Sequence, residues 1–304
     1  MSDHLEIKVS AMLSEAQIET YAEQGFVIAR AVVSDELLAQ MRAQLDAWTE
    51  ESRYEQANYG EILGGKARFD LQPGHSPDHP QLRRVANPID ISKAYREALF
   101  EGPVVELAAE LLGPDVVFHH CKLNIKAPGA ATRADYHQDH AFTPHTNDDM
   151  ITALVLLDDM FEANGCLTVV PGSHKERCSH WRDGRFVGRI DAEMDAEFDA
   201  RAMPIEGRAG DVCYMHNWSV HGGGPNMSDE PRRLLICDYS AADAKPLVAN
   251  PVPTVHEGRV VHGQASRIAR LTQMNVELPE IYDDDSFFVI QEREARKVRE
   301  EMPS

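Results

Sequence analysis

Cysteine is scarce and unpaired: Cys121, Cys166, Cys178, Cys213 and Cys237 are odd in number and none falls in a CxxC pair. That excludes a disulfide framework or a zinc knuckle and leaves reduced thiols, mostly small core residues. Long apolar runs are also missing. The longest, "ALVLL" at 153–157, is far short of the roughly 20 residues a spanning helix needs. The opening "MSDHLEIKVS" has no basic segment followed by an apolar stretch, so the expectation is a soluble, cytoplasmic protein. Positive charge is short too, with 30 basic against 50 acidic residues and a net charge of −20. Such a surface repels nucleic acid and anionic lipid, so neither nucleic acid nor membrane is expected as a partner, and it tilts slightly toward a neutral or cationic small molecule. There is no internal repeat and no low-complexity segment.

What is present is 304 residues with 43% hydrophobic content, enough for a large core. The N-terminal part, residues 1–114, reads as helix-rich. Ser14 and Gln17 form a capping box for "SEAQIETYAEQ", Gly25 stops that helix, and "FVIARAVV" follows as a strand. Ser34 caps a second helix, with Leu37, Leu38, Met41, Leu45 and Trp48 on one stripe. Residues 55–90 read as loop, and "PVVELAAELL" as a helix between Pro103 and Gly113.

From residue 115 the pattern becomes short strands divided by turn residues, the signature of a barrel or sandwich. Strands are expected at 116–126, 133–140, 151–157, 166–170, 211–215 and 232–239. The organisation expected is one domain over 1–304, with a core at 115–240 and a C-terminal loop and helix at 241–304, the helix being "SFFVIQEREARKVREEM". The oligomeric state is left open.

"DYHQDHAF", residues 135–142, carries the first chemistry. Residues i and i+2 of a strand share a face, so His137 and Asp139 point together while His140 points away. An imidazole and a carboxylate from one strand, joined by a distant imidazole, make the facial triad of non-haem Fe(II) oxygenases. The pair alone is weak: with 14 histidines and 24 aspartates in the chain, about one His-x-Asp arises by chance. Specificity comes from His221, at the head of the turn "HGGGPN", and from Arg232 eleven residues later, before "LLICDY". A guanidinium there would grip a carboxylate in a bidentate pair, as binding of a 2-oxo acid requires.

These four residues, with "GCLTVVPGSH" between them and "GDVCYMHNWSVHGGGPN" around the distal histidine, resemble the phytanoyl-CoA dioxygenase family of Fe(II)/2-oxoglutarate oxygenases, which includes ectoine hydroxylase. "LSEAQIETYAEQGFVIARAVVSDELL" resembles the family's entry segment, so the likeness runs over residues 12–240. The resemblance implies a mainly β fold with flanking helices, a double-stranded β-helix or cupin-like jelly roll. It implies Fe(II), 2-oxoglutarate and O2 as cofactor and co-substrates, and His137, Asp139 and His221 as metal ligands. Arg232 would hold the distal carboxylate of 2-oxoglutarate, with Asn124 and Thr152 as further contacts. The reaction implied is hydroxylation of an unactivated C–H bond with release of succinate and CO2. Related halogenases lack the carboxylate that Asp139 supplies, so hydroxylation is favoured over halogenation. Leu154, where many relatives carry an aromatic residue, and Gly223, where some carry a hydroxyl, depart from the pattern.

Lys122, Asn124 and Lys126 share one strand face by period two, and Lys122, His216 and Trp218 are substrate candidates. For each the plainer reading is a salt bridge or a packed core side chain. His140, His145 and His174 read as loop or turn residues and Gln138 as a sheet-surface hydrogen bonder. "DDD" at 283–285 reads as a solvated loop or cap, and His119 and His120, adjacent on a strand, are expected on opposite faces. Two alternatives stand beside hydroxylation. One keeps the cofactors but gives desaturation, cyclisation or epimerisation. The other is a non-catalytic, cupin-like metal or small-molecule binding protein.

Overall fold

The computed structural model describes residues 12–279 and 290–291; "DDD" and most of the expected C-terminal helix lie outside them. The α-helices labelled among them are α1 (Glu15–Gln24), α2 (Asp35–Glu51), α3 (Lys93–Phe100), α4 (Pro103–Leu112) and α5 (Asp195–Arg201). The strands, in chain order, are β1 (Phe26–Ala29), β2 (Tyr59–Leu63), β3 (Lys66–Leu71), β4 (Leu82–Ala86), β5 (Val116–Lys126), β6 (Ala134–His137), β7 (Met150–Leu156) and β8 (Leu167–Val169). They continue with β9 (Trp181–Arg182), β10 (Arg185–Phe186), β11 (Met203–Pro204), β12 (Val212–His216), β13 (His221–Gly223), β14 (Arg232–Ala241) and β15 (Val260–His262). Among these residues no helix is long and apolar enough to cross a membrane.

Nine strands form the major sheet in the order β1-β12-β7-β14-β5-β4-β3-β2, with β15 added on β5. A minor sheet runs β11-β8-β13-β6, and all its pairings are antiparallel. This is the two-sheet jelly roll that the resemblance implied. The stretch expected as loop at 55–90 differs: β2, β3 and β4 lie there and widen the major sheet. Its prolines and glycines fall largely between those strands, at residues 64–65 and 72–81. Residues 175–203 contain α5.

Alternation sets the two faces of the major sheet. Ile151, Ala153 and Val155 of β7, and Leu235, Cys237 and Tyr239 of β14, pack outward with Leu38, Met41 and Leu45 of α2 and with α3 and α4. Leu154 and Leu156, with Leu234, face inward in a second apolar cluster. Because both faces are covered, every residue of β7 is buried. Three buried tyrosines tie the helices down by donating to backbone carbonyls: Tyr95 to Met41 at 2.8 Å, Tyr214 to Val104 at 2.9 Å and Tyr239 to Leu99 at 2.7 Å.

One irregularity decides what faces inward. On β5, Asp238 of β14 pairs with His120, while the next residue, Tyr239, pairs with Phe118, so His119 is an extra residue in a bulge. Val116 and Phe118 pack with the helices before it; after it Cys121 and Leu123 do. The bulge shifts the period-two alternation by one, and His120, Lys122, Asn124 and Lys126 turn into the cavity between the sheets.

Candidate metal centre and co-substrate pocket

His137 ends β6 and His221 begins β13, and the two are direct cross-strand partners, with ring centroids 4.2 Å apart. Eighty-four residues of sequence separation vanish in one register pair. Asp139 completes the group: its Oδ1 lies 3.7 Å from Nε2 of both histidines. The reason for its position differs from the strand argument. β6 stops at His137, and Asp139 opens a 3-10 turn, Asp139–Ala141, that swings its carboxylate back over the strand end. His140 does diverge, stacking on Trp218 at 3.9 Å between centroids.

The donor set fits a divalent iron. Nδ1 of His137 faces the carbonyl of Asp135 at 2.7 Å and Nδ1 of His221 that of Ser219 at 3.0 Å. A carbonyl only accepts, so both protons sit on Nδ1 and both Nε2 lone pairs are left free as donors to a metal beside Asp139 Oδ1. Burial above all, and then neighbouring His221, holds the pKa of His137 well below the usual histidine value, as a neutral ligand requires. Burial pushes the Asp139 carboxyl up, but His221, His137, Lys122 and the Thr152 hydroxyl outweigh it and hold it below the ordinary value. Thr152 donates to Asp139 Oδ2 at 3.0 Å. Its oxygen contact is thus with the carboxylate.

Triad and Thr152 open onto a cavity of about 130 Å³ that is also lined by Asn124, Lys122, Leu154, Leu234, Ile236 and Arg232. Arg232 heads β14, opposite Lys126 on β5, and is only 3% exposed. Its Nε is buried without an acceptor, and among the described residues no carboxylate pairs with it. Burial lowers its pKa to about 10, which still leaves it charged at neutral pH. A buried, unpaired guanidinium is costly unless a ligand supplies the anion, so it fits the carboxylate of 2-oxoglutarate. Asn124 Oδ1 likewise meets no donor. Beside them Lys126 donates to the carbonyls of Gly165 and Gly224, and burial, then Arg232, lowers its pKa to about 7.

Of the three substrate candidates only Lys122 lines this cavity. His216 packs beside Tyr21 and His174. Trp218 donates from Nε1 to Asp148 at 2.9 Å and lies under the guanidinium of Arg177. Both turn away because β12 ends at His216, and the chain turns before β13 begins.

Two sequence expectations need correction. His119 and His120 do not point to opposite faces; the bulge brings their Nδ1 atoms to 2.7 Å. His120 Nε2 reaches Asp238 Oδ2 at 3.3 Å, so the three residues form a chain through both nitrogens of His120. Gln138 is not on a sheet surface. It is fully buried, donates to the carbonyls of Glu176 and Trp218, and accepts from the Cys178 amide, fastening the 176–178 segment behind the triad. Its place between the two ligand positions was the available signal.

Residues 21–234 match the family model described as phytanoyl-CoA dioxygenase (PhyH). The chain belongs to the phytanoyl-CoA dioxygenase family. Membership makes it an Fe(II)- and 2-oxoglutarate-dependent dioxygenase that uses O2. It is 34% identical over 203 residues to a probable alpha-ketoglutarate-dependent hypophosphite dioxygenase of Stutzerimonas stutzeri, a match covering 65% of this chain and 71% of that one. It is 30% identical over 229 residues to a 2-aminoethylphosphonate dioxygenase of an uncultured bacterium, covering 75% and 81%. Among solved structures, EctD from S. alaskensis superposes with a TM-score of 0.64 over 85% of this chain and 88% of that one, at 20% identity, and supports the fold.

Proposed function

We propose that the protein hydroxylates an unactivated C–H bond of a small-molecule metabolite or natural-product intermediate, with His137, Asp139 and His221 holding iron. The observation that carries this reading is Arg232, a 3% exposed guanidinium with an unpartnered Nε in the same cavity as the triad. A metal-binding module without turnover has no use for a buried carboxylate clamp. Iron bound there would couple decarboxylation of 2-oxoglutarate by O2, giving succinate and CO2, to insertion of the second oxygen atom into the substrate.

The chain's own residues prepare that chemistry. The carbonyls of Asp135 and Ser219 fix the imidazole tautomers, and Thr152 holds the Asp139 oxygen that faces away from the histidines. Arg232 anchors one end of 2-oxoglutarate, and Asn124 offers an acceptor nearby. Leu154, Leu167, Leu234 and Ile236 keep water from the reacting atoms. Two of the relatives described above are named for phosphorus oxyanions, which supports a small polar substrate over a long-chain acyl thioester.

The test is anaerobic addition of Fe(II) and 2-oxoglutarate, followed by air. A weak visible charge-transfer band and then succinate are expected. Absence of both sinks the reading.

A further inference from the structure

We infer that the substrate is an anion, and that its acid group is held by Lys122 and Arg84 on the inner face of the major sheet. This rests on the oxygenase reading above and extends it to substrate class. The first observation is a reversal of charge. The chain carries −20 overall, yet among the described residues this cavity sets Arg84, Lys122, Lys126 and Arg232 against two acidic side chains, Asp139 and Asp238. The inference departs from the neutral or cationic substrate that net charge suggests. A global sum says nothing about a concave wall whose low-dielectric sides concentrate the local field.

Two of those cations are accounted for. Arg232 takes 2-oxoglutarate, and Lys126 is committed to two backbone carbonyls. Lys122 is not: its ammonium makes no hydrogen bond or ion pair among the described residues. It forms no ion pair with Asp139 or with Asp238, whose pKa burial and then Asp139 raise to about 7, and iron at the triad would take up the charge of Asp139. Arg84 is 7% exposed and its Nε is buried without an acceptor. Its carboxylate partner among the described residues, Asp70 at 2.9 Å, also lies 3.6 Å from Arg83.

The register brings the two together. Arg84 on β4 is the cross-strand partner of Asn124, and Lys122 is two residues from Asn124 on the same face of β5. A phosphonate or carboxylate there would satisfy the Arg84 Nε and the ammonium of Lys122 together. Its neighbouring carbon would then lie beside the triad, on the opposite side of Asn124 from the Arg232–Lys126 pair.

The experiment titrates methylphosphonate, propionate and neutral propionamide into the anaerobic protein saturated with Fe(II) and 2-oxoglutarate, followed by the visible band and by calorimetry. At least one acid is expected to bind alongside 2-oxoglutarate, about tenfold or more tighter than propionamide. Which acid binds better separates a phosphonate substrate from a carboxylate one. Lys122→Met and Arg84→Met should each weaken the acid by about tenfold or more while moving 2-oxoglutarate affinity less than about twofold. Lys122→Arg and Arg84→Lys, which keep the charge and guard against misfolding, should lose less than the methionine variants. Displacement of 2-oxoglutarate by the acid, equal binding of propionamide, or matched loss of 2-oxoglutarate in the variants overturns the inference. If no band forms in the unsubstituted protein the oxygenase reading falls. Calorimetry still reads the anion site, which stands or falls on the acid preference and its loss in the variants.

Discussion

At the scale of single residues, Arg232 separates function from stability. A buried cation without a counterion costs free energy in the fold, so removing it should not weaken the fold. Arg232→Ala is expected to melt at the same temperature or higher while 2-oxoglutarate binding falls by well over about tenfold and metal occupancy holds. Calorimetry of 2-oxoglutarate binding and metal analysis of the same sample check this. Equal loss of both ligands would make Arg232 a structural residue. His137→Ala removes a ligand and should abolish iron-dependent succinate formation outright. At this scale much was legible in the sequence: the separations from His137 to Asp139 and from His221 to Arg232 are short, and each pair is placed by one turn or one strand. Gln138 and the His119–His120 contact were not, because each depends on where a strand stops or bulges, which side-chain type does not encode.

At the scale of elements, the triad depends on how closely β13 approaches β6. A Cβ placed on Gly222 would lie 2.9 Å from the Ala134 carbonyl, closer than real contacts allow, and both groups are backbone or backbone-fixed. Gly222→Ala must therefore push β13 away from β6, and the pair that separates is His221 and His137. Iron affinity should drop by about tenfold or more, measured by competition with a chelator, with 2-oxoglutarate held saturating. Unchanged iron affinity would show that the sheet absorbs the strain elsewhere. Tyr239→Phe is the complementary case: it leaves the Leu99 carbonyl without its donor on the far face of the sheet. Stability should fall by about 1–2 kcal/mol in urea unfolding with iron affinity unchanged.

Helices were readable from caps and stripes; Ser14, Gln17 and Gly25 close α1 as their types suggest, and Leu38, Met41, Leu45 and Trp48 are the buried residues of α2. The strands β2 to β4 were not readable. β2, at the edge of the sheet, is too exposed to show alternating hydrophobicity, and β4 pairs with β5 about forty residues further on.

At the scale of the whole molecule, charge and burial make opposing claims about acid stability. A protein at −20 gains from acidification as self-repulsion falls, but ordinary carboxylates protonate only near pH 4. Buried histidines act earlier and with the other sign. Burial and then His145 lower the pKa of His119 to about 3; burial and then His174 lower that of His216 to about 4. The unfolded chain, with histidine near 6.5, binds more protons than the fold below that value, so stability rises with pH there and is lost as pH falls. The loss should begin near pH 6.5 and continue to about pH 4 for His216 and about pH 3 for His119. Each contributes on the order of 2 kcal/mol by pH 5. The Asp148 and Asp211 carboxyls, held below the ordinary value, add their own loss only below about pH 4. Between pH 6.5 and 5 the histidines should therefore win. The urea midpoint of the metal-free protein should fall steadily across that interval, and more shallowly in His216→Gln. A midpoint that stays flat or rises from pH 7 to 5 would mean that relief of self-repulsion outweighs the cost of charging the buried imidazoles.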